Sequence, residues 1–123
     1  MQRITITLPL PDSSMSGHAK GHWRGSANRT KLARNHAHVL ALAAGVPASP
    51  FLQAVINFEF FVPDLCRRDT MNMMHGCKAY VDGIVDAGVM VDDDWKILAV
   101  GKTTVSVDRD NPRVEITIQE ATR

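Results

Sequence analysis

Between Ser13 and Phe58 the chain has no aspartate or glutamate. A stretch of that length without acids does not suit a segment held together by internal ion pairs. Cysteine is scarce as well: Cys66 and Cys77 are the only two. Two cysteines cannot build a disulfide scaffold, and neither belongs to a paired metal-binding spacing. A reducing, cytoplasmic compartment is therefore the expectation. No apolar run approaches the ~18 residues that a transmembrane helix needs. The first residues alternate and lack a basic-then-apolar leader, so no signal peptide is expected. There is no internal repeat and no low-complexity segment. With 45% apolar and 22% charged residues in 123, one globular domain is expected rather than disorder or a coiled coil.

The charges that are present are sorted along the chain. The net charge is only +1, yet the acid-free stretch carries Lys20, Arg24, Arg29, Lys31 and Arg34 beside His18, His22, His36 and His38. Acids collect later, at Asp82, Asp86, Asp92, Asp93 and Asp94. A basic segment with a separate acidic knot suits a protein that holds a polyanion and a divalent cation together. A solvated surface with chance clustering is the bland alternative.

Ile4, Ile6 and Leu8 alternate with Arg3, Thr5 and Thr7, which predicts a half-buried strand over 2–8, closed by Pro9 and Pro11. Residues 12–28 read as a long loop, of a length that in a compact domain is usually functional or mobile. Asn28 is placed to cap a helix from Arg29 to Gly45, with Leu32, Val39 and Leu42 on one face and Ala33, Ala37 and Ala41 adjacent. Arg29, Lys31 and Arg34 in its first turns oppose the helix dipole, an arrangement that phosphate binding favours and helix stability does not. A second strand is expected over 52–62, and a helix from Thr70 to Asp86 closed by Gly88, with Val81, Ile84 and Val85 as its stripe. Strands over 97–107 and 113–119 follow. Asp108-Arg109-Asp110-Asn111-Pro112 between them reads as a hairpin turn. The expected fold is a single α/β domain with a mixed sheet, in the order β-α-β-α-β-β. Strands two and three are joined by a right-handed crossover, and the last two form an antiparallel pair.

Chemistry concentrates in 67–94, RRDTMNMMHGCKAYVDGIVDAGVMVDDD. Asp69 stands where a helix N-cap is needed, a wholly structural job. Asp92 to Asp94 form a polar turn. If that turn folds over the start of the helix, two to four carboxylates converge beside Arg67 and Arg68. Mg²⁺ binds such a cluster through one or two carboxylates plus phosphate oxygens.

These residues resemble the RusA-type Holliday junction resolvases, endonucleases of phage and prophage origin that act in DNA recombination and repair. The resemblance lies in Arg67-Arg68-Asp69-x-x-Asn72, in the Lys78–Asp82 pair, in Gly83-Ile84-Val85-Asp86-Ala87-Gly88 and in the Asp92-Asp93 pair. It extends to His22, Trp23, Lys31 and Arg34 and to the strands at both ends. It implies a homodimeric, Mg²⁺-dependent enzyme, with Mn²⁺ as the alternative metal, that nicks opposed strands of a four-way DNA junction. Asp69 and Asp93 would hold the metal, with Asp92 able to share it, Lys78 would offset charge on the phosphate, and Asn72 would orient a ligand. Lys20, Arg24, Arg29, Lys31, Arg34, Arg67 and Arg68 would hold DNA.

The family motif D-x-D-N reads Asp69-Thr70-Met71-Asn72 here, so a thioether stands where the second carboxylate is expected. Asp82 is one compensating acid, and a binding-only or impaired protein is the alternative. Counting forward from Asp69 puts His75 near the family's lysine. Counting back from the acid pair puts Lys78 there, and its charge at neutral pH favours it. In an unbroken helix Lys78 would lie about 13 Å along the axis from Asp69. Trp23 and Trp95 each have a core reading and a base-stacking reading, with Trp23 the better stacking candidate. Met73, Met74 and Cys77 read as core or interface.

Overall fold

A computed structural model describes residues 2–11 and 23–122, with only the backbone for 23–26. The elements are β1 (Arg3–Leu8), α1 (Trp23–Ala44), β2 (Ala54–Val62), α2 (Thr70–Gly76), α3 (Lys78–Ala87), β3 (Leu98–Val107) and β4 (Arg113–Glu120). The fold is α/β, with one mixed sheet in the order β1-β4-β2-β3.

Alternation along β1 and β2 does what the pattern dictates. Ile4, Ile6 and Leu8 are buried, as are Ile56, Phe58, Phe60 and Val62. All of these but Val62 join Val114, Ile116 and Ile118 of β4 in one core beneath the helices. β2 and β3 run parallel, the pairing a helical crossover permits. Their register shifts between Ile56 and Phe58.

The expected hairpin between the last two strands does not form. β4 instead pairs antiparallel with β1 on one side and with β2 on the other. Both of its edges are occupied and every second residue is buried, so β4 gains more from the middle of the sheet than from its sequence neighbour. Asp108 still makes a local turn, accepting from the Asp110 and Asn111 amides at 3.2 and 3.1 Å, but the chain then crosses over β2. β3 is left as an edge strand, with Val100, Val105 and Val107 exposed.

Two helical expectations also change. α1 starts at Trp23 rather than Arg29, so Asn28 lies inside it and is not its cap. Its packed face is Ala33, Ala37 and Ala41, while Leu32, Val39 and Leu42 point outward. Close approach explains the choice. A Cβ on Gly83 of α3 would lie 2.1 Å from the Arg34 carbonyl oxygen and 3.0 Å from Ala37 Cβ. Two helices that near each other accept alanine and glycine at the seam and expel leucine. The second predicted helix divides at Cys77, which ends α2 and precedes α3. Gly88 closes α3 in the left-handed conformation, φ 90°, as expected.

Candidate functional site

α2 follows Arg67-Arg68-Asp69 and carries Asn72, and its helical phase decides which residues meet. Asp69 caps it, accepting from the Met71 and Asn72 amides at 2.9 and 3.3 Å. Asp69, Asn72, Met73 and Gly76 follow i, i+3, i+4, i+7 and line a cavity of about 420 Å³ with Arg67, Arg68 and Leu10. Met71, Met74, His75 and Lys78 follow the same spacing on the other side. They line a second cleft, of about 330 Å³, together with Asp93 and Val81. Two residues of helix are a rotation of roughly 200°. The two acids expected to share a metal, Asp69 and Asp93, therefore open on different depressions.

The centre of the second cleft is Lys78. Its Nζ donates to Asp82 Oδ1 at 2.6 Å and to Asp93 Oδ2 at 2.5 Å. Asp82 is one turn along α3, a spacing that brings side chains together on any helix. Asp93 is different, because it arrives from the loop before β3. That loop is anchored to the chain leading into β2: the Phe51 amide donates to the Val89 carbonyl and the Val91 amide to the Phe51 carbonyl. The Lys78 hydrogen bond holds the Asp93 carboxyl below the usual range. Partial burial works to lower the Lys78 pKa, but hydrogen bonds to Asp82 and Asp93 outweigh it and raise the value. The pair is charged across the neutral range.

The turn itself is tightly bonded. Asp92 Oδ1 accepts from the Asp93 amide at 2.8 Å. Asp94 Oδ1 accepts from the Lys96 amide at 2.8 Å, and the Asp94 carbonyl accepts from the Ile97 and Leu98 amides. Asp92 and Asp94 thus each hold an amide of the turn, while Asp93 turns to Lys78. Trp95 stands at the tip, 75% exposed. Sequence reasoning favoured Trp23 as the stacking candidate. Its side chain, like residues 12–22 with Lys20, lies outside the described residues, and so does the Arg24 side chain.

The basic residues divide as well. Arg29 and Lys31 are exposed on α1. Arg34 is engaged elsewhere: its Nε and Nη2 make a bidentate bridge to Asp86 of α3 at 2.6 and 2.8 Å. That bridge raises the Arg34 pKa and lowers that of Asp86. Arg68 is bonded to Asp64 at 2.9 Å and to the Asp64 and Cys66 carbonyls. Arg67 is exposed at the rim of the first cavity. Sequence reasoning missed the Arg34–Asp86 lock, which is a contact between separate helices and leaves no local signature.

Among the described residues no three His, Cys, Asp or Glu side chains form a group that could hold a metal ion, and no helix is long and apolar enough to cross a membrane. Two carboxylates nevertheless share one ammonium, so the Lys78, Asp82 and Asp93 cluster beside the cleft is net negative. Asp93 and the adjacent Asp92 are hard oxygen donors, the kind Mg²⁺ accepts when phosphate oxygens complete its shell.

No protein-family model matches the chain. A protein from Xylella fastidiosa (strain Temecula1 / ATCC 700964), described as an uncharacterized protein, is 36% identical over 91 residues. The matched region covers 70% of this chain and 58% of that protein, so the chain spans less than two thirds of its relative's length.

Proposed function

We propose that the protein is a structure-selective DNA endonuclease of the RusA type, resolving four-way junctions by paired nicks. The observation that carries this reading is the Lys78–Asp93 contact. It joins the two residues that the resemblance marks as catalytic lysine and catalytic acid, across 15 residues of sequence. Asp93, with Asp92 beside it, would hold Mg²⁺ or Mn²⁺ together with DNA phosphate oxygens. The ion, when bound, supplies charge neutralisation and lowers the pKa of a coordinated water. Lys78 then places its ammonium against the phosphate charge that grows during in-line attack. Asp82 keeps that ammonium oriented through the i,i+4 bond. Arg67, exposed beside Asp69 and Asn72 at the neighbouring cavity, meets a DNA phosphate away from the reacting one, while Asp69 keeps α2 capped. Arg29 and Lys31 contact the arms through backbone phosphates, so affinity falls steeply with salt.

Two symmetric nicks call for two sites related by a two-fold axis, and a homodimer supplies them. The exposed apolar side chains of edge strand β3 offer surface for a second copy. Free Cys66 and Cys77 suit a reducing, cytoplasmic setting.

A second reading, a branched-DNA-binding protein without cleavage, is favoured by Met71, which faces the Lys78 cleft where a carboxylate is expected. A labelled four-way junction incubated in Mg²⁺, beside an Asp93→Asn variant, separates the two. Paired nicks lost in Asp93→Asn support the enzyme, whereas tight binding with intact DNA supports the second reading. Sedimentation at tens of micromolar, with and without junction DNA, checks the dimer.

A further inference from the structure

We infer that Trp95 is a stacking platform for an unpaired nucleobase of the branched DNA bound at the Lys78–Asp93 cleft. This rests on the reading that the cleft serves branched DNA. A tryptophan left 75% exposed forgoes the burial that normally stabilises so large an apolar side chain. Asp94 takes the Lys96, Ile97 and Leu98 amides with its carboxylate and carbonyl, which fixes the tip on both sides of the indole.

The surroundings select what reaches the ring. Asp92, Asp93 and Asp94 immediately precede it, so the turn is acidic and disfavours a phosphate more than an uncharged base. An uncharged base face meets no such penalty. Lys96 sets its Nζ over one face of the Trp95 ring, 6.0 Å from the centroid, so a base stacks on the opposite face and the ammonium offers a cation to a neighbouring phosphate. Asp93, two residues before Trp95, turns its carboxylate to Lys78. Two residues of chain span at most about 7 Å, the reach of about one nucleotide, so Trp95 is rooted close to the cleft. In intact duplex DNA every base is already stacked, so only a branch point or single strand presents a free face.

Trp23→Phe provides the background in which Trp95 is the sole tryptophan. Junctions carrying 2-aminopurine at the crossover and a matched linear duplex are titrated with this protein and with its Trp95→Ala and Trp95→Phe derivatives. Stacking on an aromatic ring predicts quenched Trp95 emission with the junction and not with the duplex. Trp95→Ala is expected to weaken junction binding about tenfold, leave duplex binding unchanged and abolish the 2-aminopurine response. Trp95→Phe restores most of both. If Trp95→Ala binds the junction as tightly as its parent with the same 2-aminopurine signal, this assignment fails while the junction reading stands. If the unsubstituted protein, with Trp23 in place, binds no junction at low salt, both fall. Trp95 emission that shifts with protein concentration alone means a second copy covers the ring, and that also overturns the assignment.

Discussion

Lys78 and Asp93 meet at 2.5 Å although 15 residues and a helix separate them, and Asp82 meets the same ammonium at 2.6 Å. The geometry is that of a fixed charge cluster at the mouth of a cleft rather than of a bridge that holds the fold together. The Lys78 side chain remains 58% exposed.

Removing that contact should therefore cost activity far more than stability. Asp93→Asn and Lys78→Met are each expected to lower unfolding free energy by less than about 1 kcal/mol, while junction cleavage falls by two orders of magnitude or more. The depressed Asp93 pKa sets the pH dependence. Its stabilising contribution is fully present above the unfolded carboxyl value of ~3.9 and disappears as pH falls through the lower folded value. The raised Lys78 pKa works at the other end, present below ~10.4 and lost as pH rises through the folded value. Urea melts of parent and Asp93→Asn should differ by a constant amount from about pH 5 to pH 9 and converge only below about pH 4. A difference that shrinks between pH 7 and 5 would contradict this.

Met71 is 71% exposed in the first turn of α2, which holds no acid, and it faces Lys78 and Asp93. Met71→Asp should fold with stability within about 0.5 kcal/mol of the parent, since a carboxylate complements the helix N-terminus. It is expected to lower the Mg²⁺ concentration for half-maximal junction cleavage, or to create cleavage where the parent shows only binding. Met71→Asn, an oxygen donor without charge, should help less. A well-folded Met71→Asp with unchanged metal dependence would mean that this position is not the family's second acid.

Charge reversal on α1 should give two distinct outcomes. Lys31→Glu removes an exposed cation and is expected to weaken DNA binding and flatten its salt dependence without changing Tm. Arg34→Glu sets a carboxylate against Asp86 and breaks the lock between α1 and α3, so its Tm should fall measurably. Equal Tm values for the two variants would show that the bidentate bridge is not a structural contact.

Gly83→Ala tests the helix seam. The new methyl would meet the Arg34 carbonyl oxygen at 2.1 Å, and backbone cannot yield as a side-chain tip does. The expected loss is about 3 kcal/mol or more, at the upper end of overpacking effects, with α1 displaced. Thermal melts that leave Gly83→Ala within 1 °C of the parent would refute so close an approach.

Period-two patterns made β1 and the core face of β2 legible, because each buries one face and a slip of one residue would invert it. Gly88 marked the end of α3 for a similarly local reason. Sheet order was not legible: Asp108 to Pro112 has hairpin chemistry, but whether two strands pair depends on what else competes for their edges. The face of α1 was misjudged because hydrophobicity favours leucine, whereas Gly83 opposite demands alanine. The separation of Asp69 from Asp93 was encoded all along. Positions 69 and 71 differ by two, and helical phase alone sends them to opposite sides, yet only a fixed helix start makes that phase usable. The Lys78–Asp93 contact was legible through the resemblance and through no local pattern.

The central position of the last strand also dictates how the molecule is made. Gln119 is the register partner of Arg3, and Ile118 lies between Ile4 and Ile56. Until β4 has left the ribosome, β1 lacks its hydrogen-bonding partner among the described strands and one long side of β2 is open. The amino-terminal half cannot set its sheet early and wait. Assembly is instead a late closure in which the carboxyl-terminal strand slides between two earlier ones, a step of high contact order. A translation product stopped short of β4 would present two unsatisfied apolar strands and be prone to aggregate rather than fold in part.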